Sequence, residues 1–231
     1  MPCTVRRARV GRFTGVSALP EPIEDKPQRE LPHSLWERLR SDPIHAPEHL
    51  ALAASERHAP AAAAWVEERR RTYAHSPAEL ALMAKRKHAA LARFGGAATG
   101  VGGIVTVIPD MAASAWIQSR MVFFIAAAYG YDPFDPMRPA ELLVLQNLYP
   151  DPQSARRALD GVGTSVIQAW AGSKLERDQA LASQLAKMVG RRAIKRVAGR
   201  LIPFAAIAFN AIGNERETRA RADRTIKYYG G

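Results

Sequence analysis

Cysteine and aromatic residues are both scarce in this chain of 231 residues. The single cysteine, Cys3, cannot form an internal disulfide, so the fold depends on a packed core rather than on disulfide bridges. A chain of this length buries roughly 70% of its unfolded surface, which is enough for one sizeable domain. Because 47% of the residues are hydrophobic, wholesale disorder and a collagen-like repeat are excluded.

Long hydrophobic runs are also lacking. The longest run without a charge, from Phe94 to Pro109, has 16 residues and contains five glycines, and Asp110 ends it. A membrane-spanning helix needs about 20 consecutive apolar residues. The sequence therefore does not predict a conventional transmembrane helix. Two buried helices that meet at Pro109 fit the pattern better, and a shallow hairpin entering a bilayer stays open as an alternative.

The first residues do not form a secretory signal. Four arginines precede Phe13, but no apolar segment of 7–15 residues follows them, as a signal peptide requires. Prolines then alternate with acidic residues up to Pro32. This composition predicts an extended, mobile arm over residues 1–33 and a cytoplasmic location.

Strand patterns are missing, whereas helix-start signals are frequent. Ser34–Glu37, Ser76–Glu79 and Ser173–Glu176 each have the spacing of a capping box. Alternation with a period of two is not sustained anywhere, so we predict an all-α fold, with one helical domain over residues 34–231. The predicted helices are 34–41, 47–57, 60–74, 77–93, 97–108, 110–129, 138–148, 152–171, 174–200, 201–213 and 215–229. Because 97–108 is rich in β-branched residues, a strand is the alternative there.

A cluster of glycines near the middle of the chain invites a phosphate-loop interpretation. Its members are Gly95, Gly96, Gly100, Gly102 and Gly103. A Walker-type loop needs a lysine after its last glycine, and none follows; the dinucleotide fingerprint is absent as well. Gly96 and Gly100 are about one helical turn apart, so we predict that they allow a close helix–helix approach.

His45 and His49 match the H-x-x-E-H spacing of one class of zinc proteases. That motif requires both histidines on one face of a continuous helix, whereas Pro47 is tolerated only in a first turn. We therefore expect the two histidines to straddle the start of a helix. No third ligand is identifiable, so we expect neither a metal site nor a cofactor.

Two carboxylates, Asp110 and Glu141, lie in the stretch with the fewest charges, and Arg120 is the cation nearest to them in sequence. A carboxylate in an apolar setting has a raised pKa and can act as a general acid or base. Both residues also occupy positions typical of helix N-termini. We favour helix caps and a buried pair with Arg120, and we keep a hydrolase using Asp110 and Glu141 as the alternative.

Acidic residues are too few to balance the basic ones, and the formal net charge is +11. Residues 153–231 contain 15 basic and 6 acidic side chains and carry most of this excess. A helix over 187–200 would be cationic around about two-thirds of its circumference and apolar on the remainder, at Ile194 and Val197. Its basic residues are Lys187, Arg191, Arg192, Lys195, Arg196 and Arg200. Such a helix can lie on an anionic bilayer, can follow nucleic-acid phosphates, or can be an ordinary solvated face.

Three segments carry a resemblance to a known family. They are Lys87–Asp110 with its glycine cluster, Ile125–Asp132 followed by Glu141, and Leu201–Ala211 followed by Lys227-Tyr228-Tyr229. Together they resemble the EcsC-like family over about residues 60–231. One departure is the stretch after Pro203, where the family tends to have a glycine-rich turn and this chain does not.

The resemblance implies a helical protein, soluble or membrane-associated, from a bacterial family named after a protein encoded beside an ABC transporter. It implies no catalytic activity. We therefore expect a non-enzymatic accessory protein, cytoplasmic and peripheral at the membrane, which binds anionic lipid or a membrane transport complex of the ABC type. A nucleic-acid-binding protein is a further alternative, although no base-stacking aromatic residue lies between Lys187 and Arg200.

Overall fold

All regular structure in the described part of the chain is helical. The structure, a computed structural model, describes residues 31–95, 103–164, 173–189 and 205–231, and none of these residues forms a strand. The prediction of an all-α fold is therefore confirmed. The helices are α1 (His33–Ser41), α2 (Ala46–Thr72), α3 (Pro77–Gly95), α4 (Gly103–Ala128), α5 (Arg138–Leu145), α6 (Pro152–Thr164), α7 (Lys174–Val189) and α8 (Ala205–Gly230).

Helix α4 lies at the centre of the fold. It contacts α2, α3, α7 and α8, which surround it. Trp116, Phe123 and Phe124 on α4 are at most 1% exposed. A helix that is apolar on all sides must be covered on all sides, and this explains the position of α4.

The segment Ile108–Ala128 of α4 is, by length and composition, able to cross a membrane. Its mean hydropathy over the most apolar window is 1.3, and 89% of that window is buried inside the protein. Core helices of soluble proteins satisfy the same criterion, so this segment is weak evidence for a membrane span.

Three predicted helix breaks are wrong, and two of them are at prolines. Pro60 lies inside α2 and Pro109 lies inside α4, so each pair of predicted helices is one continuous helix. Both prolines are exposed, whereas Ala59 and Ala62 beside Pro60 are buried. A proline ring on the solvent side leaves the carbonyl four residues earlier to water, and burial of the flanking residues keeps the helix continuous. The predicted break near residue 214 is wrong as well, since α8 runs through it.

Two of the three predicted capping boxes are confirmed. The Ser76 amide and hydroxyl donate to Glu79 Oε2, both at 2.8 Å, and the Ser173 amide donates to Glu176 Oε2 at 2.7 Å. The third is wrong, because α1 begins at His33 after Pro32 and has no side-chain cap. Glu37 instead lies 3.3 Å from the His33 ring.

Several predicted features lie partly or wholly outside the described residues. Of the glycine cluster, Gly95 ends α3 and Gly103 begins α4, and the other three members are not described. The described part of the predicted arm is its last three residues, and His33 among them already belongs to α1. The predicted strand or helix over 97–108 is described from Gly103 onward, and that part is helical.

Candidate functional site

Two of the three segments that carry the family resemblance meet at one end of the bundle. Tyr131 follows the end of α4, Glu141 lies in the first turn of α5, and Tyr229 lies near the end of α8. With them lie Asp135, Arg138 and Tyr228. We call these six residues, Tyr131, Asp135, Arg138, Glu141, Tyr228 and Tyr229, the tyrosine–arginine cluster.

Arg138 is the centre of the tyrosine–arginine cluster. Its guanidinium donates to Glu141 Oε2 and, at 3.1 Å, to Asp135 Oδ2, and its side chain is only 8% exposed. The guanidinium carbon also lies 5.3 Å from the ring centroid of Tyr131 and 5.6 Å from that of Tyr229. Two carboxylates and two aromatic rings therefore stabilise one largely buried positive charge.

Tyr229 joins the end of α8 to this ion pair. Its hydroxyl donates to Glu141 Oε2 at 2.5 Å. Burial raises the pKa of Glu141, while the Tyr229 hydroxyl and the Arg138 charge act in the opposite direction. Burial and the neighbouring Glu141 raise the pKa of Tyr229 as well, so its hydroxyl stays a proton donor at neutral pH.

The loop before α5 is shaped by short-range hydrogen bonds. Gly130, with a φ of 89°, ends α4 in a Schellman motif, in which the Gly130 amide donates to the Ala127 carbonyl and the Tyr131 amide to the Ala126 carbonyl. The Asp135 carboxylate accepts from the Met137 amide at 2.8 Å, and this bond lowers the pKa of Asp135. The loop thereby carries Tyr131 and Asp135 to Arg138.

The cluster has the composition of a structural ion-pair network. Glu141 Oε2 accepts from both Arg138 and Tyr229, so this oxygen holds the start of α5 to the end of α8. Its arginine is Arg138, not the predicted Arg120. The first-turn position predicted for Glu141 is the one observed.

Asp110 does not cap a helix, contrary to the prediction, because it lies within α4. It lines a small cavity of about 20 Å³ together with Ser114 and Asn214, and a cavity of this size holds about one water molecule. Arg120 is ten residues further along α4, about 15 Å along the axis, which is beyond the reach of an ion pair. The Arg120 guanidinium lies instead 4.7 Å from the ring centroid of Phe124.

Asp110 and Glu141 lie at different ends of α8. Asp110 lines a cavity with Asn214, whereas Glu141 bonds to Tyr229. Fifteen residues of α8 separate Asn214 from Tyr229, about 22 Å along the helix axis. Two carboxylates so far apart do not act on one bond of one substrate, since catalytic pairs lie within about 10 Å of each other.

The H-x-x-E-H motif straddles the start of α2, as predicted. His45 is the residue before the helix, and Pro47 lies in its first turn. Asp42 bridges the two histidines, with Oδ2 lying 2.9 Å from His45 Nδ1 and 3.1 Å from His49 Nε2. In the part of the chain that the structure describes, no three His, Cys, Asp or Glu side chains are grouped to hold a metal ion.

A groove of about 290 Å³ opens beside this motif. Glu48 and Pro47 line it from α2, Tyr149 from the segment after α5, and Gln184 and Lys187 from α7. The Tyr149 hydroxyl donates to Glu48 Oε1 at 2.5 Å. Glu48 is only 5% exposed, and its other oxygen, Oε2, is buried with no hydrogen-bond partner among the described residues.

Of the predicted lipid-binding residues, Lys187 alone lies within the described part of the chain. It is exposed near the end of α7, while Met188 and Val189 beside it are buried. The other five residues of the predicted basic face, Arg191, Arg192, Lys195, Arg196 and Arg200, lie outside the described residues.

Sequence reasoning did not identify Arg138, Asp135, Glu48 and Tyr149 as functional candidates. Arg138 follows Asp135 by three positions and precedes Glu141 by three, and this spacing is the signal that predicts the ion pairs at the start of α5. Nothing local predicts the two tyrosines, because Tyr149 and Tyr229 lie 101 and 88 residues from the glutamates that they contact.

The described helices and their two polar sites define an all-α protein with a central apolar helix, an ion-pair network at one end and a groove beside α2. Residues 26–230 match the EcsC protein family, and the chain belongs to that family. The match begins well before the predicted start near residue 60, so α1 and the start of α2 are part of the family domain. Neither the curated proteins nor the solved structures compared with the chain gave a match.

Proposed function

We propose that this chain is a non-enzymatic accessory protein that binds the anionic surface of the cytoplasmic membrane. One observation carries the proposal, namely the separation of basic from apolar residues over 187–200. This stretch starts within the last turn of α7, where Lys187 is exposed while Leu185 and Met188 are buried. A helix over 187–200 would gather its basic residues on one side, which can lie against an anionic membrane surface.

The expected strength of binding follows from the number of charges. Each basic residue near an anionic membrane surface contributes about 1 kcal/mol. Removal of four such charges should therefore weaken binding by several hundred-fold, since about 1.4 kcal/mol corresponds to a factor of ten. Reversal of the charges adds repulsion to this loss.

Sedimentation with vesicles tests the proposal. We expect the full chain to sediment with vesicles that contain phosphatidylglycerol at physiological salt. With pure phosphatidylcholine vesicles, the chain should stay in the supernatant. A variant with Arg191, Arg192, Lys195 and Arg196 all changed to Glu should lose this binding. The matched control changes four exposed arginines on other helices to Glu, so the net charge is the same; they are Arg71, Arg86, Arg157 and Arg216.

The outcomes separate the competing functions. Equal loss of binding in both variants would show that only net charge matters, and would overturn a specific membrane-binding face. If the wild-type chain ignores anionic vesicles but retards duplex DNA or RNA, nucleic-acid binding takes the place of the proposal. Binding to native membranes that is lost after protease treatment of those membranes would assign the face to a membrane transport complex instead of lipid.

A further inference from the structure

The groove beside α2 is lined by a buried carboxylate with one oxygen that no described residue bonds. Glu48 Oε2 has no hydrogen-bond partner among the described residues, although Glu48 is only 5% exposed. Its other oxygen is occupied by the Tyr149 hydroxyl. A buried carboxylate is costly unless both oxygens are paired, so the site is complete only when an N–H or O–H donor reaches Oε2.

The charge of Glu48 favours a cationic donor. Hydrogen bonds between an ionised donor and a carboxylate are roughly twice as strong as those between neutral groups. Tyr149 holds Glu48 in place from one side, so the carboxylate is already oriented. A primary ammonium group offers three N–H donors, whereas a trimethylammonium group offers none. The site should therefore distinguish an amine from its fully methylated form.

The same groove carries a positive charge as well. Lys187 lines it from α7, with its ammonium group hydrogen-bonded to Gln184 Oε1 at 3.3 Å. A ligand that satisfies both Glu48 and Lys187 carries a cation and an anion on a short linker. The volume of about 290 Å³ falls at the lower end of the range for drug-sized ligands and suits a small, polar group.

We propose that this groove binds a phosphoethanolamine group, with the ammonium at Glu48 and the phosphate toward Lys187. The choice of phosphate as the anion rests on the proposed membrane function, because Lys187 is also the first basic residue of the stretch assigned to the lipid surface. Phosphoethanolamine reaches the groove either as the headgroup of phosphatidylethanolamine or as a free solute, and both sources present the same two charges.

Calorimetric titration of the full chain with free ligands tests the site itself. We expect phosphoethanolamine to bind at least tenfold more tightly than phosphocholine, which has the same phosphate and no N–H donor. Glu48→Gln should weaken phosphoethanolamine binding at least tenfold, whereas Glu56→Gln, which removes an exposed charge from the same helix, should leave it unchanged. The amide oxygen introduced by Glu48→Gln still accepts from Tyr149, so the variant keeps its local contact, and its melting curve verifies folding.

The role of Lys187 has its own pair of variants. Lys187→Met should weaken phosphoethanolamine binding, whereas Lys174→Met, at an exposed site at the other end of α7, should not. Equal affinities for phosphoethanolamine and phosphocholine would overturn the proposal. So would an unchanged affinity in Glu48→Gln, or no binding of either ligand by the full chain.

Vesicles distinguish the two sources of the ligand and keep this site separate from the membrane face. Phosphatidylcholine vesicles with and without phosphatidylethanolamine have the same net charge, so a gain with phosphatidylethanolamine that Glu48→Gln abolishes assigns the site to lipid. Free phosphoethanolamine binding without that gain assigns it to a soluble ligand. Failure of the wild-type chain to bind phosphatidylglycerol vesicles would contradict the proposed function alone and leave the groove result standing.

Discussion

Glu141, whose side chain is 12% exposed, and Glu48, which is 5% exposed, have the same local setting and different partners. Each lies in the first turn of a helix, and each accepts a hydrogen bond from a tyrosine hydroxyl at 2.5 Å. Glu141 also contacts Arg138, whereas Glu48 Oε2 has no partner among the described residues.

This difference separates a structural carboxylate from a candidate binding carboxylate. The cost of burying Glu141 is offset by a cation that the fold itself provides. The cost of burying Glu48 is offset only in part, and buried polar groups without a partner are found at functional sites, where a bound ligand or water can complete them. The following experiments test whether the two glutamates differ in this way.

The largest effect is expected from Arg138→Met. This change leaves Glu141 and Asp135 without their cation, and removal of one partner of a buried ion pair costs about 3–5 kcal/mol. Chemical denaturation should show this loss in the free energy of unfolding. Arg219→Met is the control: it removes a more exposed pair with Glu215, and its cost should stay below about 1 kcal/mol. Similar losses in both variants would mean that the tyrosine–arginine cluster is not a structural unit.

Glu141→Gln tests the same cluster from its acidic side. The amide still accepts from Tyr229 but loses its charge, so we expect a loss of about 1.5–3 kcal/mol in the free energy of unfolding. In the double variant with Arg138→Met, the total loss should be clearly smaller than the sum of the two single losses. Strict additivity would show that the two side chains do not stabilise each other.

Denaturation at several pH values sharpens the comparison of the two glutamates, because a third titratable group, the buried His58, also makes the free energy of unfolding depend on pH. His58 is fully buried against Trp116, with a ring-centroid distance of 4.3 Å, and burial followed by the Arg120 charge keeps its pKa well below 6.5. The unfolded chain therefore binds a proton that the folded chain rejects. Stability from this group is complete above about pH 6.5 and falls by up to about 1.4 kcal/mol per pH unit below it.

His58→Leu should flatten this acid-side loss of stability, since leucine has a similar volume and no titratable nitrogen. The measurement is a series of denaturation curves between about pH 5 and pH 7.5, which brackets the ordinary histidine pKa. His33→Leu, at a side chain that is 87% exposed, should leave the pH dependence unchanged. An unaltered slope in His58→Leu would show that His58 titrates normally.

The smallest change in stability is expected from Glu48→Gln. It removes a buried charge whose Oε2 has no hydrogen-bond partner among the described residues and keeps the acceptor for Tyr149, so the free energy of unfolding should change by less than about 1 kcal/mol. Thermal and chemical denaturation of this variant beside Glu141→Gln make the comparison directly. A loss as large as that of Glu141→Gln would remove the distinction between the two glutamates.

The sequence predicts the first-turn positions of these residues but not their partners. Capping boxes at Ser76 and Ser173 are readable because both members lie within one turn. The tyrosines that contact Glu48 and Glu141 come from far along the chain, and only the packing of the helices decides which tyrosine reaches which glutamate. The all-α fold is readable for the same reason as the caps, since helical periodicity is local.

Pro60 and Pro109 show a second limit of local rules, because here the sequence predicts helix ends that the structure does not have. A proline predicts a helix end through one lost hydrogen bond and one steric clash. In α2 and α4 the surrounding core outweighs that local cost, and the proline ring faces solvent. The error therefore arises where tertiary burial, which the sequence does not display, is larger than a local preference.

The packing of α3 along α8 has a consequence for the order in which this chain folds during its synthesis. The Lys85–Asp223 ion pair joins helices whose residues are 138 positions apart, and α8 leaves the ribosome after every other described helix. Until then α3 lacks the cover that α8 gives it. Such a delay leaves apolar surface of the nascent chain open to solvent, and surface of this kind is what chaperones shield.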